Sequence, residues 1–309
     1  MIVNWNTREV LSDCLKSIYE QTTGIEYEVI VIDNASSDGS AEMVKAKYPN
    51  VNLIENLENK GFAAANNQGI AITKGRYVLL LNSDTRIIDN AIAKVIEFAD
   101  GRTDGGVIGC RVLNPDKTVQ QTCFMFPSLP NMFLSSTYLY KIFPKSKFFG
   151  RERMTWWDRK DTRQVDVVTG CFMLIRCEVI EQIGLLDERF FVYGEETDFC
   201  FRAKKKGWKI LFAPVAEIIH LGGASSRQVT PEMTLQLRGS ILLFIKKHRN
   251  RMIYTVACFL VAMFFFFRVF YWFARGLFSN GATRAEFRTA RTYLSGTLKA
   301  LFGAEGLCL

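Results

Sequence analysis

Tyr77-Val78-Leu79-Leu80-Leu81-Asn82-Ser83-Asp84 is an apolar run that ends abruptly in polar residues. An unbroken run of this length predicts a strand buried on both faces of a parallel sheet. Asp84 then emerges at the carboxyl end of that strand, the edge where open α/β sheets bind ligands. With no basic partner beside it in sequence, its carboxylate suits a divalent cation holding phosphate oxygens. Capping a turn is the competing role for a single Asp after a strand.

Working outward, the upstream chain alternates strands and helices. Ile2-Val3-Asn4-Trp5 predicts a short strand, and residues 8–21 a helix with Val10, Leu11, Cys14, Leu15 and Ile18 on one face. Residues 27–32 predict a second strand ending in Asp33-Asn34, and a helix opened by Ser40 closes at Pro49. Residues 51–55 predict a third strand. Asn59-Lys60-Gly61-Phe62 turns into a helix that reaches Thr73 and ends at Gly75. This alternation implies βαβ units and a parallel sheet. Two acids, Asp33 and Asp84, thus share one sheet edge, a pattern that suits a nucleotide site.

Downstream, residues 106–110 predict a strand, but residues 114–163 lose any clean period. A loop of that length is functional or mobile. Its Trp156-Trp157 either stacks on a sugar or packs in the core. Residues 165–175 predict a buried strand pair or one bent strand, and 178–183 a short helix. Tyr193-Gly194-Glu195-Glu196-Thr197-Asp198 enters another helix, which Gly207 ends. There Glu195 and Glu196 complement the helix dipole, and Asp198 pairs with Arg202 at i,i+4. Residues 209–213 form a strand, Pro214 a turn, and Glu217-Ile218-Ile219-His220 runs into Leu221-Gly222-Gly223. His220 is either a metal ligand or a hydrogen-bonded surface histidine.

Composition narrows the classes. The 309 residues carry a net charge of +8 and are 49% hydrophobic, as befits a folded chain. Neither GxGxxG nor GxxxxGK[ST] occurs, which argues against a dinucleotide-dependent oxidoreductase and a P-loop enzyme. The eight cysteines form no CxxC pair and no zinc spacing, so free thiols are expected. No secretory signal opens the chain. Basic clusters at Lys204-Lys205-Lys206 and from Lys246 to Arg251 flank apolar segments and favour anionic lipid over nucleic acid.

Together the motifs resemble the family 2 glycosyltransferases. They are Ile2-Val3-Asn4-Trp5-Asn6-Thr7, Val31-Ile32-Asp33-Asn34-Ala35-Ser36-Ser37-Asp38-Gly39-Ser40, the stretch from Asn59 to Gly69, Leu81-Asn82-Ser83-Asp84, Thr169-Gly170-Cys171-Phe172, Tyr193 to Asp198 and Ile219 to Gly223. The spacing is most similar to the bacterial rhamnosyltransferase and galactofuranosyltransferase branch. The resemblance implies the nucleotide-diphospho-sugar transferase (GT-A) fold over residues 1–250. It implies Mg²⁺ or Mn²⁺ on Asp84 and His220, and Asp33 on the imide N–H of the base. Asn6, Thr7, Asp38, Lys60, Gly61 and Ser83 would line the nucleotide. Gly170, Cys171, Glu195, Trp156 and Trp157 would line the donor and acceptor pocket, and Glu196 would be the catalytic base. Two departures stand out: Asn82 replaces the first acid of the DxD motif, and Glu195-Glu196 replaces the commoner Glu-Asp. The chain also opens inside its first strand, so either its start lies upstream or this sheet edge is short.

The implied activity is metal-dependent, inverting transfer of a sugar, L-rhamnose from dTDP-rhamnose first, to a lipid-linked or cell-surface glycan precursor. The alternative is a catalytically degenerate sugar-nucleotide-binding or scaffold protein of a glycan-assembly complex. A nucleotidyltransferase fits worse, because Asn6-Thr7-Arg8-Glu9 stands where its Gly-rich phosphate loop would be. Residues 251–309 are expected to form a separate helical, membrane-associated region. Residues 252–267 carry no charge, and Arg268 interrupts a run shorter than the roughly twenty residues of a comfortable span. A span is still accommodated if Arg268 snorkels near one end. A single span would export Arg275, Arg284, Arg288 and Arg291 against the positive-inside tendency. Monotopic attachment at the cytoplasmic face of a bacterial membrane keeps both basic flanks on one side; a soluble helical subdomain is the competing arrangement. Phe287, Ala290, Leu294, Leu298 and Leu301 predict an apolar stripe on the tail helix.

Overall fold

The Tyr77 run lies at the centre of a nine-stranded sheet, and its side chains divide between two cores. Leu81 joins one cluster with half-buried Tyr77 and Leu79, while Val78 and Leu80 join the other. The computed structural model describes residues 1–222, 230–278, 284–303 and 307. Gly223 and the side chain of Arg284, both named above, and Cys308, the eighth cysteine, lie outside the described residues.

In chain order the first elements are β1 (Ile2–Asn4), α1 (Arg8–Gln21), β2 (Ile30–Asp33), α2 (Ser40–Lys47), β3 (Asn52–Glu55) and α3 (Gly61–Ile70). Next come β4 (Tyr77–Asn82), β5 (Thr85–Ile87), α4 (Ala91–Asp100), β6 (Gly105–Leu113), β7 (Cys123–Phe124), α5 (Leu129–Thr137) and α6 (Leu139–Ile142). Then follow β8 (Arg163–Gln164), β9 (Val167–Val168), β10 (Phe172–Arg176), α7 (Cys177–Ile183), α8 (Glu195–Lys205) and β11 (Lys209–His220). The last three are α9 (Thr230–His248), α10 (Arg251–Phe278) and α11 (Arg284–Phe302). They group into two units. The first holds residues 1–126, 153–191 and 195–225; the second holds 127–152, 192–194 and 226–309.

In the first unit the strand order is β3-β2-β1-β4-β10-β6-β11-β5, with β8 on β11. The first four strands are parallel, as expected. The sheet is mostly parallel and flanked by helices, as the GT-A resemblance implies, but not wholly so. β10 lies antiparallel between β4 and β6, and β5 lies antiparallel on β11. A strand buried on both faces has the same apolar pattern in either direction, so the sequence does not distinguish the two. Pro214 makes no turn either. β11 runs through it, and the register on β6 slips between Ala213 and Glu217. The proline falls in this bulge, where no ladder N–H is needed. α1 buries Leu11, Cys14, Leu15 and Ile18 as its spacing predicts. α3 ends at Ile70, short of Thr73.

Residues 114–163 are not a structureless loop. α5 is capped by Ser128, whose side chain accepts from Asn131 N, and carries Pro130 in its first turn. With α6 it belongs to the second unit, so that unit takes in chain well before residue 251.

Within the second unit, α9 is tied to residues 192–194. Gln236 Nε2 and Ser240 Oγ donate to Val192 O at 3.1 and 3.3 Å. α10 runs unbroken through Arg268. That guanidinium donates to Phe264 O and Tyr138 Oη and lies 3.5 Å from the centre of the Phe264 ring. Protein groups thus hold the guanidinium. α11 packs on α10 by a face the sequence reading missed. Tyr293 stacks on buried Phe265, and a Cβ at Gly296 would come within 3.2 Å of that ring. Of the predicted stripe only Ala290 is buried; Leu294, Leu298 and Leu301 are exposed. Among the described residues α10 is the one helix long and apolar enough to cross a membrane.

Candidate active site

The site is assembled where β1, β2 and β4 end together. Asn4 on β1 is in register with Asp33 on β2, and Val3 with Asn82 on β4. Asn4 is fully buried and orders this edge. Its Nδ2 donates to Asp33 Oδ1 at 2.9 Å and to Ser36 Oγ at 3.1 Å, while its Oδ1 accepts from Thr7 Oγ1 at 2.6 Å. Thr7 spends its proton on Asn4, so Ser83 Oγ, 3.0 Å away, donates to Thr7. The second oxygen of Asp33 accepts from Ser36 N at 2.9 Å. Asn6, in a left-handed conformation, turns its carbonyl to Ser37 N at 2.7 Å. These contacts leave the Asp33 carboxylate fixed, 3% exposed, at the strand ends.

Asp84 meets His220 through the sheet itself. β5 begins one residue after Asp84 and pairs with β11, placing Thr85 opposite His220. His220 Nε2 lies 3.0 Å from Asp84 Oδ1, and Leu221 N donates to Asp84 O at 2.9 Å. Gln120 fixes the ring. Its Nε2 donates to His220 O and to Asn114 Oδ1, both at 2.7 Å, so its Oε1 must accept the proton of His220 Nδ1 at 2.9 Å. In the neutral imidazole the Nε2 lone pair then points to Asp84, with the Asn82 amide 3.3 Å off. Two lone-pair donors facing each other 3.0 Å apart, one ring held from behind, fit a divalent cation. No group of three His, Cys, Asp or Glu side chains arranged for a metal occurs among the described residues. Asn82 is the reason, and ligand oxygens would have to complete the shell.

The remaining expected residues are more spread. Asp38 is engaged locally: it accepts from Arg8 N at 2.8 Å and from Ser40 N and Oγ at 3.1 and 2.5 Å. Burial works to raise its carboxyl, but these hydrogen bonds prevail and lower it. Gly61 opens α3 at φ +81°, where a Cβ would sit 2.4 Å from Phe191 O, so both backbone and space require glycine. Lys60 beside it is exposed. Gly170 backs onto the Phe62 ring, and Cys171 O accepts from Asn82 N at 3.2 Å. Burial pushes the Cys171 thiol up to about 11, so it stays neutral and packs as the small hydrophobe expected. All seven described cysteines are free thiols. Trp157 takes the core alternative rather than lining a pocket. It is 5% exposed, edge-on to Phe212 at 4.9 Å, and donates to Asp161 Oδ1, so its ring packs in the core. Arg163 covers half-buried Trp156 at 5.2 Å.

At the start of α8, Glu195 is 4% exposed and its Oε2 has no partner among the described residues. Burial, reinforced by the charge of Glu196, holds the Glu195 carboxyl well above its ordinary value. Both causes favour its protonated form beside Glu196. Asp198, fully buried, pairs with Arg202 at 2.7 Å as the i,i+4 spacing predicts. Two carboxyls on one helical turn thus sit in different environments, Glu195 buried and Glu196 half-buried.

The sequence profile described as Glycosyl transferase family 2 matches residues 1–184. The chain belongs to glycosyl transferase family 2.

Curated relatives agree with this family. The chain is 27% identical over 206 residues to the N-acetylglucosaminyl-diphospho-decaprenol L-rhamnosyltransferase of Mycobacterium tuberculosis, covering 62% of this chain and 66% of that protein. It is 27% identical over 235 residues to the low-salt glycan biosynthesis hexosyltransferase Agl10 of Haloferax volcanii, covering 71% and 66%. The match therefore spans just under two thirds of each relative's length. Among solved structures, the mannosyltransferase PcManGT of Pyrobaculum calidifontis, in complex with GDP-Man and Mn²⁺, superposes with a TM-score of 0.59 at 13% identity, over 97% of this chain and 86% of that one. TarS 1–349 of S. aureus gives 0.52 at 15%, over 97% and 79%. At these identities the neighbours show the fold, which is GT-A.

For a family 2 chain, two further residues matter that the sequence reading passed over. Asn4 lies within the first motif, where the apolar run around it marks it only as strand. Gln120 has no signal, because its partner His220 is brought to it by β11. The Asn59–Gly69 motif is likewise structural in large part. Asn34 Nδ2 donates to Asn59 Oδ1 and Gly61 O, and Asn67 Nδ2 donates to Leu186 O.

Proposed function

We propose that this protein is a metal-assisted, inverting glycosyltransferase. It moves a sugar, L-rhamnose from dTDP-rhamnose first, to a hydroxyl of a lipid-linked glycan precursor at the cytoplasmic membrane face. The observation that carries the reading is the pairing of Asp84 with His220, whose Nε2 faces Asp84 Oδ1 at 3.0 Å while Gln120 holds the other ring nitrogen. That pair lies on the same sheet edge as the buried carboxylate of Asp33. The rhamnosyltransferase name of the mycobacterial relative supports the sugar and the lipid-linked acceptor. Manganese in the PcManGT complex supports the metal. The exposed apolar residues of α10 support the membrane.

In this reading Asp33 receives the imide N–H of the nucleoside base, held ready by Asn4 and Ser36 N. Asn6, Thr7 and Ser83 shape the same edge. Asp84 and His220 would hold Mg²⁺ or Mn²⁺, which as a Lewis acid offsets charge on the diphosphate. Glu196 takes the proton of the acceptor hydroxyl as its oxygen bonds to the anomeric carbon. The bond from that carbon to the diphosphate oxygen breaks, and its electron pair leaves with the nucleoside diphosphate. Attack from the opposite face inverts the centre. Burial of Glu195 favours its protonated form, which limits negative charge beside the base.

The test is release of nucleoside diphosphate from a panel of nucleotide sugars, with Mn²⁺, Mg²⁺ or EDTA, on detergent-solubilised protein. Metal-dependent release from one donor supports the reading and names the sugar. Donor binding by calorimetry without release, acceptor present, would favour the degenerate sugar-nucleotide-binding reading that Asn82 suggests.

A further inference from the structure

Between Asp116 and Glu152 the sequence holds no acidic residue. Inside that stretch, α6 and the turns after it present Ile142, Phe143 and Phe148 at 68%, 50% and 61% exposure. Lys141, Lys145 and Lys147 are exposed among them. The segment is ordered by its own contacts. Phe143 N donates to Leu139 O at 2.8 Å, Ser146 N to Phe143 O at 3.0 Å and Gly150 N to Ser146 O at 2.9 Å. Phe149 packs against both Phe143 and Phe148, with ring centres 5.2 and 5.3 Å apart. Its apolar side chains are thus held facing outward.

Two observations choose the occupant. Lysine is depleted from protein–protein interfaces, yet here it alternates with the exposed apolar residues, the pattern of a surface that meets anionic headgroups. The segment is also joined to the apolar helix of its own unit. α5 packs on α10, and Tyr138 accepts from Arg268, beside which α10 exposes Phe267, Phe270 and Tyr271.

We propose that residues 138–149 are a second membrane-docking element. Ile142, Phe143 and Phe148 enter the headgroup layer of an anionic bilayer, and Lys141, Lys145 and Lys147 hold its phosphates. The proposal rests on the reading of an enzyme that works at a membrane, and adds a contact independent of α10. Transfer in detergent micelles, which needs no bilayer, tests the enzymatic reading separately.

The experiment places the photoreactive residue p-benzoylphenylalanine at position 143 or 148 of the full chain, with Leu57, fully exposed in the first unit, as control. Irradiation is done on vesicles of phosphatidylglycerol and phosphatidylethanolamine. Lipid adducts at 143 and 148 several-fold above those at 57 are expected. Each of Lys141→Gln, Lys145→Gln and Lys147→Gln should weaken binding to these vesicles about fivefold, and leave binding to phosphatidylcholine vesicles unchanged. Adducts at the level of position 57, or adducts confined to a protein, overturn the proposal.

Discussion

His220 Nε2 lies 3.0 Å from Asp84 Oδ1, and Gln120, bound to the far side of the ring, decides which nitrogen carries the proton. The short strand β5 creates this pair by setting Thr85 opposite His220. Metal affinity should therefore depend on a residue that does not touch the metal. Gln120→Ala is expected to weaken Mn²⁺ activation about 10- to 100-fold, as loss of a partner behind a ligating histidine does. His220→Ala should weaken it further. A Mn²⁺ titration of donor turnover measures both, and an unchanged half-saturation point in Gln120→Ala would show that the ring is not held for metal.

Asn4 is expected to matter more for stability than its size suggests. Replacing it by Leu keeps the branched shape, though in a larger side chain, but strips Asp33 and Thr7 of a buried partner. A buried polar group left unsatisfied costs about 1–3 kcal/mol. Urea unfolding followed by circular dichroism should show a loss of that order, with donor binding also weakened because Asp33 is released. Loss of stability with donor affinity intact would detach Asn4 from the nucleotide site.

These two residues also mark how far the sequence could be read. The β1–β4 core, the helices between and the emergence of Asp33 and Asp84 at one edge follow from local apolar runs and turn residues. Direction is another matter. The antiparallel β10 and β5 are set by long-range pairing, to which an apolar run is blind. For the same reason Gln120 was invisible and Trp157 ambiguous. A tryptophan next to charged residues is placed in the core by Phe212, far away in sequence. In the tail, the leucine stripe was legible but its neighbour was not. The face that packs inward uses Gly296, Ala300 and Tyr293, residues that a hydrophobic count undervalues.

The Asp198–Arg202 pair was foreseen as a helical i,i+4 contact, but its burial makes it a different object. Asp198 is fully buried, and Arg202 also donates to Ile183 O and Leu185 O, joining α8 to the end of α7. Arg202→Met is expected to destabilise the protein by about 3–5 kcal/mol, because it removes the ion-pair partner of a buried carboxylate. Adding Asp198→Leu should recover part of that loss. Denaturant midpoints of the wild type and the single and double variants decide it, and a single variant within about 0.5 kcal/mol of wild type would reduce the pair to a surface contact.

Glu195 and Glu196 should separate stability from catalysis. The Glu195 carboxyl is held above its ordinary value of 4.5 by burial and by the charge of Glu196. The folded chain therefore keeps a proton that the unfolded chain releases. Stability from this group is full below pH 4.5 and falls as pH rises toward the folded value, by at most about 1.4 kcal/mol per pH unit. Glu195→Gln cannot ionise and escapes that loss. Its denaturant midpoint should exceed that of wild type at pH 7 and converge with it near pH 4. Glu196→Gln should behave in the opposite sense toward function: donor affinity intact, transfer lowered by about 10²- to 10⁴-fold, the range a positioned general base contributes. Calorimetry for the donor and a transfer assay for the product read the two properties independently. If Glu195→Gln abolishes transfer while Glu196→Gln leaves it near normal, the base is the buried carboxyl, and the assignment of the two residues must be exchanged.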